Sequence, residues 1–354
     1  MLGEANSEVE GPMSAFQDAA TPRRYSMRRR KRVESSVGAS DKLEIFFEAA
    51  TQCQKIVVFS GSGLSATTGV SMFSTKGGLY EKGRKRLKVQ DGKRLFTYPF
   101  YAKNKDAVQA FFADIFNEVL RAEPAPSHQS LAALHKCGLL QRHYTLNIDG
   151  LAGVVGMDTW HDQAKPSAPT VEMHGNIRQL VCPECCHVVS LDKVLARQLS
   201  LKRLRQCPKC PDGILRFKIM LYDDEEGDCV TESEKLWSLL EKDLEVADMV
   251  LWVGISFEQS ASVEYFRKVR AMLLAQQRVD SVRQVLINPS DSVLWNLLSA
   301  TSNLANVEVL NVTAECDAVL PELAARVGLI QKSKKKMKLM ETGEMGDSSQ
   351  GRSS

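Results

Sequence analysis

The sequence predicts an α/β fold: a doubly wound parallel sheet with helices on both faces and a small four-cysteine module inserted into it. Three observations carry that prediction. Short β-branched runs alternate with helical patterns, the first run ends in a glycine-rich turn, and two C-x-x-C pairs interrupt the alternation. With 354 residues, 44% of them hydrophobic, the chain can bury a full core divided between one large and one small domain.

In chain order, residues 1–38 read as a disordered basic N-terminal arm. Arg23–Arg32, RRYSMRRRKR, holds seven cations in ten positions, and such composition cannot offset the entropy of ordering. The folded domain is expected over 39–330. Asp41–Gln54 has helical apolar spacing, with Asp41 and Glu44 as a capping box. Ile56–Phe59 is a β-branched strand running into glycine. Asp106–Glu123 is amphipathic, with Val108, Phe111, Phe112, Ile115, Phe116 and Val119 on one stripe. Ser127 precedes a helix over Gln129–Cys137. Tyr144–Leu146, Met249–Ile255, Val282–Ile287 and Val307–Val312 read as further strands, separated by helical patterns such as Ser262–Gln277. Residues 331–354 read as a disordered tail, basic and then polar.

The cation clusters at 23–32 and 332–338 fit two solvated tails, nuclear import, or a non-specific grip on nucleic acid. Nuclear localisation is the expectation drawn from them, with a cytoplasmic pool also allowed. RRYS resembles a basophilic kinase site at Ser26. No apolar run approaches the ~18 residues of a membrane span, so no membrane contact is expected. Nine cysteines without a secretory signal argue against a disulfide framework and for metal or free thiols.

The strongest local signal is the cysteine square. CPEC at Cys182–Cys185 and CPKC at Cys207–Cys210 are two knuckles with 21 residues between them. Each aims two thiolates at one point, and four complete a closed tetrahedral zinc site that is structural rather than catalytic. The module is expected over about 177–218. Cys186 is adjacent but off register and is not expected as a ligand.

Gly61, Gly63 and Ala66 fit the G-x-G-x-x-G/A turn of a Rossmann-like nucleotide site. A dehydrogenase also needs a strand ending in an acid roughly 20 residues on. That region is Tyr80–Arg94, YEKGRKRLKVQDGKR, which is basic and lacks a strand pattern. Other polar signals follow strands, where open α/β sheets bind ligands: Asn147-Ile148-Asp149, His174-Gly175, Gly254-Ile255-Ser256 and Asn288. Singly they read as a turn, a structural histidine and a helix cap at Ser256. The combination is harder to dismiss.

Taken in order, these residues resemble a sirtuin, a NAD-dependent protein deacylase, from about Ile56 to Leu323. The matching motifs are Gly61–Ser65, Leu146–Asp149, the histidine-glycine pair, the zinc knuckles, Gly254–Ser256, Asn288 and Glu315–Leu320. The resemblance implies a helical cofactor-loop subdomain, NAD as co-substrate and an acyl-lysine protein as partner, with histone tails as candidates. It implies His174 as the base, with Asn147 orienting the ribose or a water. It implies cofactor contacts from Gly61, Ser62, Gly63, Ser65, Phe73, Ile148, Asp149, Gly254, Ser256, Asn288 and Cys316. Backbone N–H groups of Gly61–Ser65 are expected against the pyrophosphate.

The chain departs from the family pattern at three points. Ser74 stands in the place of a loop arginine, a loss of about 1.5–3 kcal/mol per charged hydrogen bond; Lys76 or Arg84 is the expected substitute. Leu146 stands where glutamine is usual. Asp223, in IMLYDDEEGD (Ile219–Asp228), replaces a glycine, and the acidic run fits either a solvated loop or selection of a cationic peptide. Two other functions therefore remain compatible: protein ADP-ribosyl transfer, and a weakened NAD- or ADP-ribose-binding chromatin module.

Overall fold

The computed structural model describes residues 38–71, 77–302, 304 and 307–341, with side chains to 333. The expectations for residues 1–37, for Phe73, Ser74 and Lys76, and for 342–354 lie outside the described residues.

Nine strands are described: β1 Ile56–Ser60, β2 Leu140–Thr145, β3 Thr170–Glu172, β4 Gly175–Val181, β5 Val188–Ser190, β6 Arg216–Ile219, β7 Met249–Val253, β8 Arg283–Ile287 and β9 Leu310–Val312. Six form one parallel sheet in the order β3-β2-β1-β7-β8-β9, and β5-β4-β6 form a small antiparallel sheet. Every residue of β1 and β7 is buried, as a sheet covered on both faces requires. Successive side chains serve opposite cores. Ile56, Val58, Met249 and Leu251 meet Phe46, Phe47 and Leu320 on one face. Val57, Phe59, Val250 and Trp252 meet Leu240 and Phe266 on the other. There the Phe59 ring lies 5.0 Å from Tyr144 and 4.4 Å from Trp252.

A third core joins two regions that are distant in sequence. Leu79, Phe96, Phe111, Phe112 and Phe116, from the helical segment after the glycine turn, pack with Ile177, Leu180 and Phe217 of the small sheet. The basic stretch without strand pattern folds as helix Leu79–Leu87, and helix Lys105–Val119 carries the apolar stripe.

Four expectations are corrected. Helix Ala39–Gln52 starts before Asp41, which accepts from the Gly38 N–H at 3.2 Å, while Glu44 pairs with Arg326 at 2.6 Å instead of capping. β2 runs back to Leu140, through Gln141, Arg142 and His143, which sequence patterning excludes from a buried strand. The last helix, Cys316–Glu341, continues past residue 330 into the expected tail. Cys186 and Cys229 form a disulfide, where free thiols were expected.

The polar stretch of β2 tolerates burial because each charge is matched. Arg142 Nε bonds Asp243 Oδ2 at 2.5 Å, with side chains 8% and 3% exposed, and Tyr144 donates to the same oxygen at 2.7 Å. His143 Nε2 lies 2.7 Å from Ser60 Oγ, and burial pushes its pKa down to about 3, keeping it neutral. Replacing Asp243 by Ala strands the guanidinium and is expected to cost about 3–5 kcal/mol, read from urea unfolding; a loss under ~1 kcal/mol would contradict this account.

Candidate active site

From β1 the chain proceeds to β2 and β3 on one side, while β7, β8 and β9 lie on the other. Open α/β sheets bind ligands beyond the strand ends at such a reversal. Here the reversal brings Gly61 and Gly63, after β1, against Gly254, after β7. Gly61 N–H donates to Val253 O and Gly63 N–H to Gly254 O, both at 2.9 Å. Gly254 sits at φ 62, and a Cβ at Gly63 would lie 2.6 Å from Gly254 Cα, so both positions demand glycine. The N–H groups of Gly61, Gly63 and Leu64 are thus bonded to protein carbonyls. These glycines serve the close approach of the two turns.

Asn147, Ile148 and Asp149, beyond β2, are buried under this turn. Asn147 Nδ2 donates to Gly61 O at 3.0 Å and Ser65 Oγ at 3.1 Å, and Ser65 Oγ donates to Asp149 Oδ2 at 2.7 Å. Asp149 Oδ1 accepts from Leu151 N–H at 2.9 Å. These bonds fix the turn, the amide and the carboxylate as one unit. Together with Ser62, Leu79, Ile115 and Val119 they line a small cleft that is open to solvent.

His174 follows β3. Its Nδ1 lies 3.0 Å from the Leu146 carbonyl and its Nε2 3.0 Å from Tyr265 Oη. Burial pushes its pKa below the ordinary value, against a smaller upward pull from the Leu146 carbonyl. The imidazole is therefore a neutral base at neutral pH.

The remaining predicted residues are placed unevenly. Asn288 Nδ2 reaches Ile255 O at 3.4 Å, beside Gly254. Ser256 is exposed and is not a helix cap, since the next helix starts at Ser260. Cys316 opens its helix with the thiol inside the main core, pushed up to about 12 by burial, so its side chain is withdrawn from any ligand. Arg84 is exposed, while Lys82 bonds Ser71 Oγ at 2.7 Å and Glu118 at 2.6 Å. Sequence reasoning missed Lys82, and it missed Tyr265.

The four knuckle sulfurs lie within 4.8 Å of one another, with Cys182–Cys210 at 3.5 Å and Cys185–Cys207 at 3.7 Å. Zinc–sulfur bonds of about 2.3 Å give tetrahedral edges of about 3.8 Å. The square therefore fits one zinc with no open position, and Cys186 is outside it.

The acidic run is partly consumed. Arg216 binds Asp224 at 2.8 Å and Glu226 at 3.2 Å. Asp223, Glu225 and Asp228 stay exposed, and Asp223 keeps a left-handed φ of 54, the conformation its expected glycine would favour.

Residues 61–261 match the model of the Sir2 family. A NAD-dependent protein deacylase of Thermococcus kodakarensis is 29% identical over 230 residues, 63% of this chain and 79% of the relative. A NAD-dependent protein deacetylase of Bacillus subtilis is 27% identical over 61% of this chain and 79% of its own. A solved Sir2 homologue–ADP-ribose complex superposes with a TM-score of 0.58 at 21% identity, over 82% of this chain and 98% of its own. A Sir2 homologue–NAD complex gives 0.58 over 81% and 94%. The glycine turn at the sheet reversal, the histidine beyond β3 and the zinc ribbon thus occur together within one matched segment, and the chain belongs to the Sir2 family.

Proposed function

We propose that this protein removes acyl groups from lysine side chains of nuclear proteins, histone tails among them, using NAD and releasing nicotinamide. The observation that carries the reading is the joining of a neutral, half-buried histidine, His174, to the Asn147–Ser65–Asp149 unit through Leu146. A binding module has no use for a base whose pKa is held down. When bound, NAD supplies the ribose that receives the acyl group. The chain's own residues supply the rest: Asp149 and Ser65 shape the pocket for a carboxamide, Asn147 holds the turn, and His174 takes a hydroxyl proton.

A nuclear, cationic substrate is favoured by the exposed Asp223, Glu225 and Asp228 and by the basic clusters at 23–32 and 332–338. These clusters also favour non-specific contact with nucleic acid. The test is incubation with NAD and an acetyl-lysine histone peptide, following nicotinamide, O-acetyl-ADP-ribose and protein-bound ADP-ribose. Acetylated product is expected. Labelled protein without deacetylation would support ADP-ribosyl transfer instead, and NAD binding without nicotinamide release would leave a binding module.

A further inference from the structure

We propose that His174 acts on its substrate hydroxyl through the hydroxyl of Tyr265, the two side chains forming one proton relay. The inference rests on the reading of His174 as the base of acyl transfer. Both ring nitrogens of His174 are engaged, Nδ1 with the Leu146 carbonyl and Nε2 with Tyr265 Oη, each at 3.0 Å. A carbonyl only accepts, so Nδ1 carries the hydrogen and Nε2 presents its lone pair. The Tyr265 hydroxyl therefore donates to Nε2. The lone pair that has to receive a proton is already bonded to a phenol, whose oxygen can take up one proton as it passes its own to the ring.

Tyr265 is built for this position. It stands on helix Ser260–Ala275, with its ring 5.9 Å from the His174 ring and 5.7 Å from Trp237. Burial holds its proton well above the usual phenol range, so it remains a donor throughout the working pH. Its oxygen still accepts. In the step, the substrate O–H bond breaks as its proton passes to Tyr265 Oη. The original phenol proton passes to Nε2 in the same event. Tyr265 emerges neutral and His174 emerges as imidazolium, with no further reactant. Among the described residues, the side-chain hydrogen bonds of His174 go to Leu146 and Tyr265 and to no carboxylate. The usual third member of such a unit is thus replaced by an intermediary on the reactive side.

The test uses the full chain with Tyr265→Phe, which keeps the ring, alongside His174→Ala and the double variant. The kcat for acyl product is expected to fall about 100-fold in Tyr265→Phe, with KM for NAD and peptide changed less than about twofold. The double variant is expected to be no slower than His174→Ala alone, as for residues that act as a unit. Independently of turnover, two-bond ¹⁵N–¹H spectra of the wild type are expected to show His174 as the Nδ1–H tautomer. Its Nε2 resonance is expected to move in Tyr265→Phe. An unchanged or raised kcat, additive losses in the double variant, or an Nε2–H tautomer in the wild type overturns the relay alone. A wild type that forms no acyl product overturns the deacylase reading and the relay with it.

Discussion

In the His174→Ala variant, acyl transfer is expected to fall by about 10²–10⁴-fold, the usual contribution of general base catalysis, while NAD still binds. Binding survives because the glycine turn and the Asn147–Ser65–Asp149 unit hold each other without the imidazole. The same histidine fixes the pH profile. On the proposed reading its neutral form is the base, so activity is expected to rise with pH through its pKa and to be flat above it. Because burial holds that pKa down, the acid limb is expected below pH ~6.5, the ordinary histidine value. A kcat/KM profile measured from pH 5 to 8 checks this, and a limb centred at or above pH 7 would contradict it. The alanine variant should lose the limb altogether.

Stripping zinc, or replacing Cys182 by Ser, is expected to disturb far more than the ribbon. Structural zinc contributes about 10–16 kcal/mol to folding in isolated zinc-finger peptides, comparable with a domain's whole stability of about 5–15 kcal/mol. Here Cys182 is itself part of the third core, with Leu180, Phe217, Phe111 and Phe112. Helix Lys105–Val119 from that core also carries Ile115 and Val119 into the cavity wall. Chelation is therefore expected to release one zinc per chain, lower the melting temperature sharply, and abolish NAD binding together with activity. Calorimetry with and without chelator, with a metal-sensitive dye, reads all of this except binding, which a titration supplies. A melting temperature unmoved by loss of the metal would refute the shared core as a load path.

What could be read from the sequence follows how local each signal is. Ile56–Phe59 and Met249–Val253 are legible because a strand buried on both faces is apolar throughout. Leu140–Arg142 are not, because the strand's buried Arg142 is matched by Asp243, 101 residues away. The zinc knuckles are legible because ligand pairs sit on single turns. The Cys186–Cys229 bond, across 43 residues, is not. His174 and Asn147 announce themselves beyond strand ends, whereas Tyr265 is one aromatic on a helix, 91 residues from its partner. The glycine positions are legible from their spacing, whereas the close approach of Gly63 to Gly254, 191 residues on, is not.

The central place of β1 has a consequence for synthesis. Its partner β2 arrives after the helical segment, and β7 only much later, where Asp248 closes onto Gln54 and Lys55 across 194 and 193 residues. Until then a five-residue strand, four of its side chains apolar, leaves the ribosome with one edge unpaired. Such long-range pairing makes folding slow and the nascent chain prone to aggregate. The strand that aims the glycine turn is the first of the sheet to be made and waits for β7, in the final third, to pair its second edge, so the protein should depend on chaperones until then.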